Sequence, residues 1–529
     1  MNMKNFYFVT MLLWCSFGTF APFILASSVP EFLEQGDAAL SQDRSTEAIG
    51  YYKQGLQVME ESTKEESLIS ILSLHTNMAT ALSSVGQNQE AADYYKKPLV
   101  AYANKIDSIT DEDVKKDATD IAAQASFFLG MVYQDLEQYR DSVDAYSQAH
   151  VLDPNHWASL ANLAAVLHDS MSQHRQALRA YNQAYEILTS PIFEPTDAPA
   201  EPRYILSQLQ YRIGLCISHD LNAKCAMEDA PDKQVSCKEL ATNAFARAIE
   251  YDPDNESARH MLATITADAT MSRASNTYIK SLFDDYAQKW VHYFHNVFCK
   301  NFCETQTYSL AACSHIHFSF EHSLVQELGY TGYERLRKAF DRAFQQKAPK
   351  FDKVIDAGCG TGLVGEQFRN VSNYLIGVDL SEAIIVEAQK ARPDLYDDVR
   401  VGDVTDVFRA EAPISLIIAA DSYIYFGDLD PLFDAMEEGL ADGAYVAFTL
   451  ENVSKEDEES LRETKPDWRW QLTASGRFAH RKEYAATTGE AHNLHIIHYE
   501  PLDGFRYERG VAVRGHAFVM QKRISDQEL

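Results

Sequence analysis

The sequence predicts a multidomain chain. An N-terminal all-α superhelix of repeated helical pairs precedes an α/β domain built on a mostly parallel, doubly wound sheet. Three observations predict this. A small–aromatic–small element recurs through the first half of the 529 residues. A strand, a glycine turn and a helix open the second half at Val354–Gly362. Beyond them, apolar runs alternate with helical patterns, and several of these runs end in an acid.

In chain order, residues 1–28 differ in kind from the rest. Lys4 is the only charge before Ala26, and Phe6–Leu25 is nearly all apolar. Small residues Ala26-Ser27-Ser28 follow. This pattern predicts a signal peptide or an uncleaved N-terminal anchor. Phe20-Ala21-Pro22 resembles the junction of some algal plastid presequences, but the residues after it are acidic and a transit peptide is poor in acids. The expected location is the secretory pathway or an endomembrane, with plastid and cytoplasm as alternatives. The rest of the chain lacks a second long apolar run, so any membrane contact is expected through this segment alone. The formal charge of −30 argues against nucleic acid as a partner.

Residues 30–268 carry the repeat. It reads Ala48/Tyr52/Gly55, Ala91/Tyr95/Pro98, Ser142/Tyr146/Ala149, Ala177/Tyr181/Ala184 and Ala241/Phe245/Ala248. Asp153-Pro154 and Asp252-Pro253 end two units, since proline stops a helix. Small residues let paired helices approach and the aromatic fills the groove between them. The element resembles the tetratricopeptide repeat (TPR), with Ser142 standing where Ala is usual. The resemblance implies about five units stacked into a superhelix whose concave face binds a protein or peptide. An irregular insert is expected near 219–236. Cys216, Cys225 and Cys237 there are disulfide candidates if the chain enters an oxidising compartment.

The glycine turn reads Val354-Ile355-Asp356-Ala357-Gly358-Cys359-Gly360-Thr361-Gly362. Glycines let backbone N–H groups approach a nucleotide-like ligand. Their spacing departs from the dinucleotide pattern, which disfavours a nicotinamide oxidoreductase. Asp356 suits a ligand bearing a cationic amino group rather than a pyrophosphate. The pattern resembles the first motif of class I methyltransferases, which bind S-adenosylmethionine (SAM). Tyr374–Asp379 reads as the second strand. Asp379 lies about twenty residues after the glycines, where a carboxylate takes ribose hydroxyls. Val399–Val404 gives a third strand end, Ile414–Ala420 with Asp421 a fourth, and Ala444–Leu450 a fifth strand. The resemblance implies a Rossmann-like, seven-stranded, mostly parallel sheet over 350–523. It also implies a cofactor site of Asp356, Gly358, Gly360, Gly362, Asp379, Leu380, Asp403, Val404 and Asp421, with Asp403 facing the adenine amino group and Val404 packing on the ring.

The entry pieces Tyr278–Ala287 and Phe320–Tyr330, within 275–349, are similar to those of a group of predicted methyltransferases that carry TPR repeats in the same chain. So are Ala419–Phe433, Ser475-Gly476-Arg477-Phe478-Ala479-His480 and Val513–Val519. Residues 290–319 separate the two entry pieces and read as an insertion foreign to the fold. Cys299, Cys303, Cys313 and His315 lie in it without a known zinc spacing, so no metal is expected. Residues 524–529 form a tail. The resemblance implies a SAM-dependent methyltransferase acting on a protein or small-molecule acceptor. The alternative is a TPR adaptor with an inactive methyltransferase-like domain. Candidate bases are His480, Tyr425 and Tyr423, with His516 reading as structural. Arg477 is a candidate for holding an acceptor carboxylate.

Overall fold

The computed structural model describes residues 28–61, 67–190, 202–219, 224–227, 230–268, 270–284, 329–508 and 511–524. The expectations for the N-terminal segment, for the insertion 290–319 with its cysteines and histidines, and for residues 525–529 lie outside these. Among the described residues no helix is long and apolar enough to cross a membrane. The chain divides into two compact units at Asn255/Glu256.

The first unit is helical. Its pairs are Val29–Leu40 with Ser45–Glu61, Leu68–Ser84 with Asn88–Lys105, and Glu112–Asp135 with Tyr139–Leu152. Trp157–Ala165 with His174–Thr189 and Pro202–Ser218 with Cys237–Tyr251 complete the series. Each repeat aromatic is buried: Tyr52, Tyr95, Tyr146, Tyr181 and Phe245 are at most 2% exposed. A glycine on the partner helix admits three of them. A Cβ on Gly36 would sit 2.2 Å from the Tyr52 ring, one on Gly130 2.6 Å from Tyr146, and one on Gly214 2.6 Å from Phe245. Ser142 is tolerated because its hydroxyl donates to the Gly130 carbonyl at 2.7 Å. We therefore expect Gly130→Ala to destabilise this unit by about 1–3 kcal/mol, the usual effect of overpacking a filled core. Thermal unfolding of the full chain would register it in the transition of the helical unit, and an unchanged transition would refute the packing account.

Two sequence expectations change here. The insert expected to be irregular near 219–236 contains paired strands in its described parts. Its segments β1 (Lys224–Met227) and β2 (Ala230–Ser236) form an antiparallel hairpin. The register steps from Met227↔Ala230 to Ala226↔Gln234, leaving Pro231, which has no N–H, out of the ladder. Of the three cysteines, Cys237 is disulfide-bonded. Cys216 is a free thiol, buried in the helical core and pushed up to about 12 by that burial.

The second unit begins with helix Glu256–Thr266, which the sequence pattern had grouped with the repeats. Its His260 stacks on Tyr278 at 4.0 Å and bonds the Gly476 carbonyl at 2.8 Å. The unit's strands are β3 (Phe351–Ala357), β4 (Ser372–Asp379), β5 (Asp398–Val401), β6 (Ile414–Ala419), β7 (Leu440–Asn452), β8 (Trp470–Leu472), β9 (Phe478–His480), β10 (Leu494–Glu508) and β11 (Val511–Lys522). Seven run in the order β10-β11-β7-β6-β3-β4-β5. The five from β7 to β5 are parallel, while β11 pairs antiparallel with both its neighbours. The sheet has nine strands rather than the expected seven, because the β8–β9 hairpin joins it through the pair Glu451↔Ala479. Val354, Ile355, Leu416, Ile417 and Val446 are fully buried, as continuous apolar strands covered on both faces must be. From β3 the chain winds outward to β5, then returns to the other side of β3 at β6. That reversal opens a crevice at the carboxyl ends of β3 and β6.

Candidate active site

The glycine turn sits at that switch point. The Gly358 and Cys359 amides both donate to the Val378 carbonyl, at 2.8 and 2.9 Å, which pins the turn to the end of β4. Gly358, Gly360 and Gly362 all have positive φ, at 72°, 53° and 100°. A Cβ on Gly358 would come within 2.2 Å of Ser422 Oγ, and one on Gly362 within 2.7 Å of Leu395. Gly360 is different: among the described residues, nothing lies within 4 Å of the position its Cβ would take. Two glycines are closed off by the protein; at the middle one no described residue stands between the backbone and a ligand.

The acids sit at the strand ends. Asp356 is fully buried at the end of β3. Its Oδ2 accepts from the Tyr396 hydroxyl at 2.7 Å, and its Oδ1 has no hydrogen-bond partner among the described residues. Burial raises its pKa from 3.8 to about 7, against hydrogen bonds from Tyr396 and the Gly365 amide. An unfilled, buried carboxylate oxygen fits a cationic donor. Asp379 closes β4. Its Oδ1 accepts from the Ser381 amide at 3.0 Å and its Oδ2 from the Gly360 amide at 3.1 Å, so it ties the turn in place. Burial again pushes its carboxyl above the usual range, with these amides opposing. Leu380 packs beside Phe283, Ile424 and Tyr425, and Val404 joins the main core.

Asp403 caps the helix Val404–Ala410 and its carboxylate is already filled. Oδ1 accepts from the Thr405 amide and hydroxyl at 3.0 and 2.8 Å. Oδ2 accepts from Arg273 at 2.5 Å and from Asn276 at 2.9 Å. Asp421, in the left-handed region at φ 59°, presents both oxygens to Arg506 Nη1 at 2.5 Å. Arg506 also holds Glu451 and Glu508, and Arg477 pairs with Glu508. Burial lifts Glu451 to about 7, despite Arg506 and Arg477.

The proposed bases fare unequally. His480 is fully buried, and its Nε2–H donates to the Gly427 carbonyl at 3.1 Å. Burial lowers it to about 3, so it stays neutral and hidden; it holds the loop after β6 and is unsuited to act as a base. His516 bonds the His480 carbonyl at 3.2 Å and Tyr499 at 3.0 Å, and burial lowers it to about 4. Tyr423 is buried in the core with its hydroxyl unpartnered and its pKa raised by burial, so it too is unsuited to proton transfer. Tyr425 is 5% exposed and lies edge-on to Phe283. Arg477 is committed to the acid cluster rather than left for an acceptor carboxylate.

Tyr396, Arg506, Glu451, Glu508, Arg273 and Asn276 escaped the sequence reading. Only Glu451 carried a usable signal, an acid directly after the apolar run Ala444–Leu450, as at the other strand ends.

Ionisation of Asp356 yields a pH prediction. Its folded pKa lies above its unfolded value, so the stability it contributes is present below about 3.8 and lost as pH rises through about 7. Asp356→Asn is therefore expected to raise the melting temperature of the ligand-free second unit at pH 8, with the gain shrinking towards pH 4. A melting temperature that falls at pH 8 would contradict this.

Residues 328–497 match the family model of a methyltransferase domain. No protein of curated function matches the sequence. Among solved structures, the chain is similar to a SAM-dependent methyltransferase from Clostridium acetobutylicum ATCC 824, at 16% identity and a TM-score of 0.28, over 38% of this chain and 96% of that one. It is similar to magnesium protoporphyrin IX methyltransferase from Synechocystis PCC 6803, solved with bound SAH, at 12% identity and a TM-score of 0.31, over 47% and 100%. It is also similar to YrrB, described as a TPR protein with an unusual peptide-binding site, at 16% identity and a TM-score of 0.29, over 44% and 91%. The open Gly360, the unfilled Asp356 oxygen and the acid-lined crevice fit a cationic methyl donor. The crevice at the carboxyl ends of β3 and β6 lies within the residues that match a methyltransferase domain, 328–497.

Proposed function

We propose that the second unit transfers the SAM methyl group to an acceptor recruited with the help of the first unit, which acts as a TPR-type arm for a protein or peptide. The observation that carries this reading is the glycine turn, closed at Gly358 and Gly362 and, among the described residues, open at Gly360, with Asp379 fastened to its amide. In this reading Asp356 takes the amino group of the donor's methionine part and Asp379 takes the ribose hydroxyls. The sulfonium is already a good leaving group, so the residues mainly hold donor and acceptor in line and exclude water. With His480 and Tyr423 buried away, Tyr425 is what remains of the proposed bases. The adaptor alternative is disfavoured by the same features, because a decayed site has no reason to keep an open glycine between two crowded ones.

We propose further that the N-terminal segment directs the chain to the secretory pathway or an endomembrane. The disulfide at Cys237 supports an oxidising compartment.

The test is to incubate the full chain with methyl-labelled SAM and an extract of its own cells. Label is expected in an acceptor, with transfer lost in Asp379→Ala and on deletion of the helical unit. Equal labelling with the Asp379→Ala chain would refute the assignment.

A further inference from the structure

The segment 271–284 runs along the carboxyl ends of the strands that build the donor crevice. The Gly427 and Asp428 amides donate to the Ser272 carbonyl at 2.8 and 2.7 Å, and the Ala274 amide donates to the Tyr425 carbonyl at 2.9 Å. Trp470 Nε1 donates to the Met271 carbonyl at 3.2 Å. The Arg273 guanidinium lies 4.2 Å over the Phe426 ring. At the segment's far end, Ser381 Oγ donates to Asp284 at 2.6 Å, just beyond Asp379. Between these points Arg273 and Asn276 hold Asp403.

A carboxylate offers about four acceptor positions. Those of Asp403 are taken by two donors from Thr405, one from Arg273 and one from Asn276. Burial opposes its ionisation, but the hydrogen bonds from Asn276 and Thr405 and the charge of Arg273 outweigh it and hold the carboxyl below its usual value. An adenine amino group would be a fifth donor and would have to displace a charged or amide partner.

We infer that Asp403 locks the segment 271–284 across the ends of β4, β5 and β6, and does not read the amino group of the donor's purine. This rests on the SAM reading above. Two consequences follow. A donor analogue with a 6-oxo purine binds as well as the 6-amino one. Removing Arg273 and Asn276 both loosens the segment and frees Asp403 to read the purine.

The test titrates the full chain, wild type and an Arg273→Ala/Asn276→Ala double variant, with S-adenosylhomocysteine and S-inosylhomocysteine. Hydrogen exchange is followed at the amides of Ala274, Gly427 and Asp428. The wild type is expected to bind the two ligands within about threefold of each other, less than one good hydrogen bond is worth. In the variant those amides exchange at least about tenfold faster, as local opening becomes easier. The variant then prefers the adenosyl ligand by about tenfold, the effect of a hydrogen bond to a freed carboxylate. A wild type that prefers the adenosyl ligand by about tenfold or more overturns the inference, as does unchanged exchange in the variant. A wild type that binds neither ligand overturns the donor reading itself, so the two failures are distinguishable.

Discussion

Replacing Arg506 by Leu is expected to destabilise the second unit by about 3–5 kcal/mol, the effect of breaking a buried ion-pair network on one side. Arg506 is 1% exposed and its guanidinium is shared among Asp421, Glu451 and Glu508. A leucine fills part of the volume but leaves three acids facing one another with, among the described residues, Arg477 for compensation. The deficit should shrink as pH falls. Glu451 already sits near 7 through burial, and without Arg506 it has still more reason to take up a proton. Arg506→Lys recovers only part of the loss, because one ammonium cannot reproduce the planar fork that reaches three carboxylates. Urea unfolding at pH 5 and pH 8 measures both effects. A variant as stable as wild type at pH 8 would mean that the cluster is not held by this arginine.

Gly360→Ala should separate folding from binding. The residue needs φ 53°, which burdens alanine by about 1–2 kcal/mol. Among the described residues nothing lies within 4 Å of the added methyl, so no clash with them adds to that. The methyl does project into the space where the proposed donor would meet the backbone. We expect SAM affinity to fall at least about a hundredfold while the unit stays folded, since a close backbone approach tolerates no Cβ. Gly358→Ala behaves differently. Its methyl meets Ser422 Oγ at 2.2 Å, so its effect appears in stability as well as in binding. Equal SAM affinity in wild type and Gly360→Ala would remove the turn from the donor site.

The parts of this chain that could be read from the sequence are those whose physics is local. A repeat aromatic is buried because small residues stand at fixed positions around it. The glycine turn is recognisable because positive φ restricts the residue type. Acids at strand ends stand out against apolar runs. What could not be read depends on partners far apart in the chain. Arg506 meets Asp421 only because β10 returns to the far side of β7, and nothing near position 506 announces it. Asp403 looked available because Arg273 and Asn276 lie so far upstream of it. His480 sat in a polar-looking segment, yet the β8–β9 hairpin tucks it into the core. The hairpin at 224–236 was obscured by Pro231, which the ladder accommodates by skipping it.

The most direct test of the central claim is a calorimetric titration of the full chain with SAM beside Asp379→Ala. Asp379 ties the Gly360 amide, so one substitution removes the turn's fastening and the proposed ribose acceptor together. Saturable one-to-one binding to the wild type is expected, lost in a variant whose helical unit still unfolds normally. Heat of binding that is the same for both chains, or no binding by a folded wild type, would contradict it.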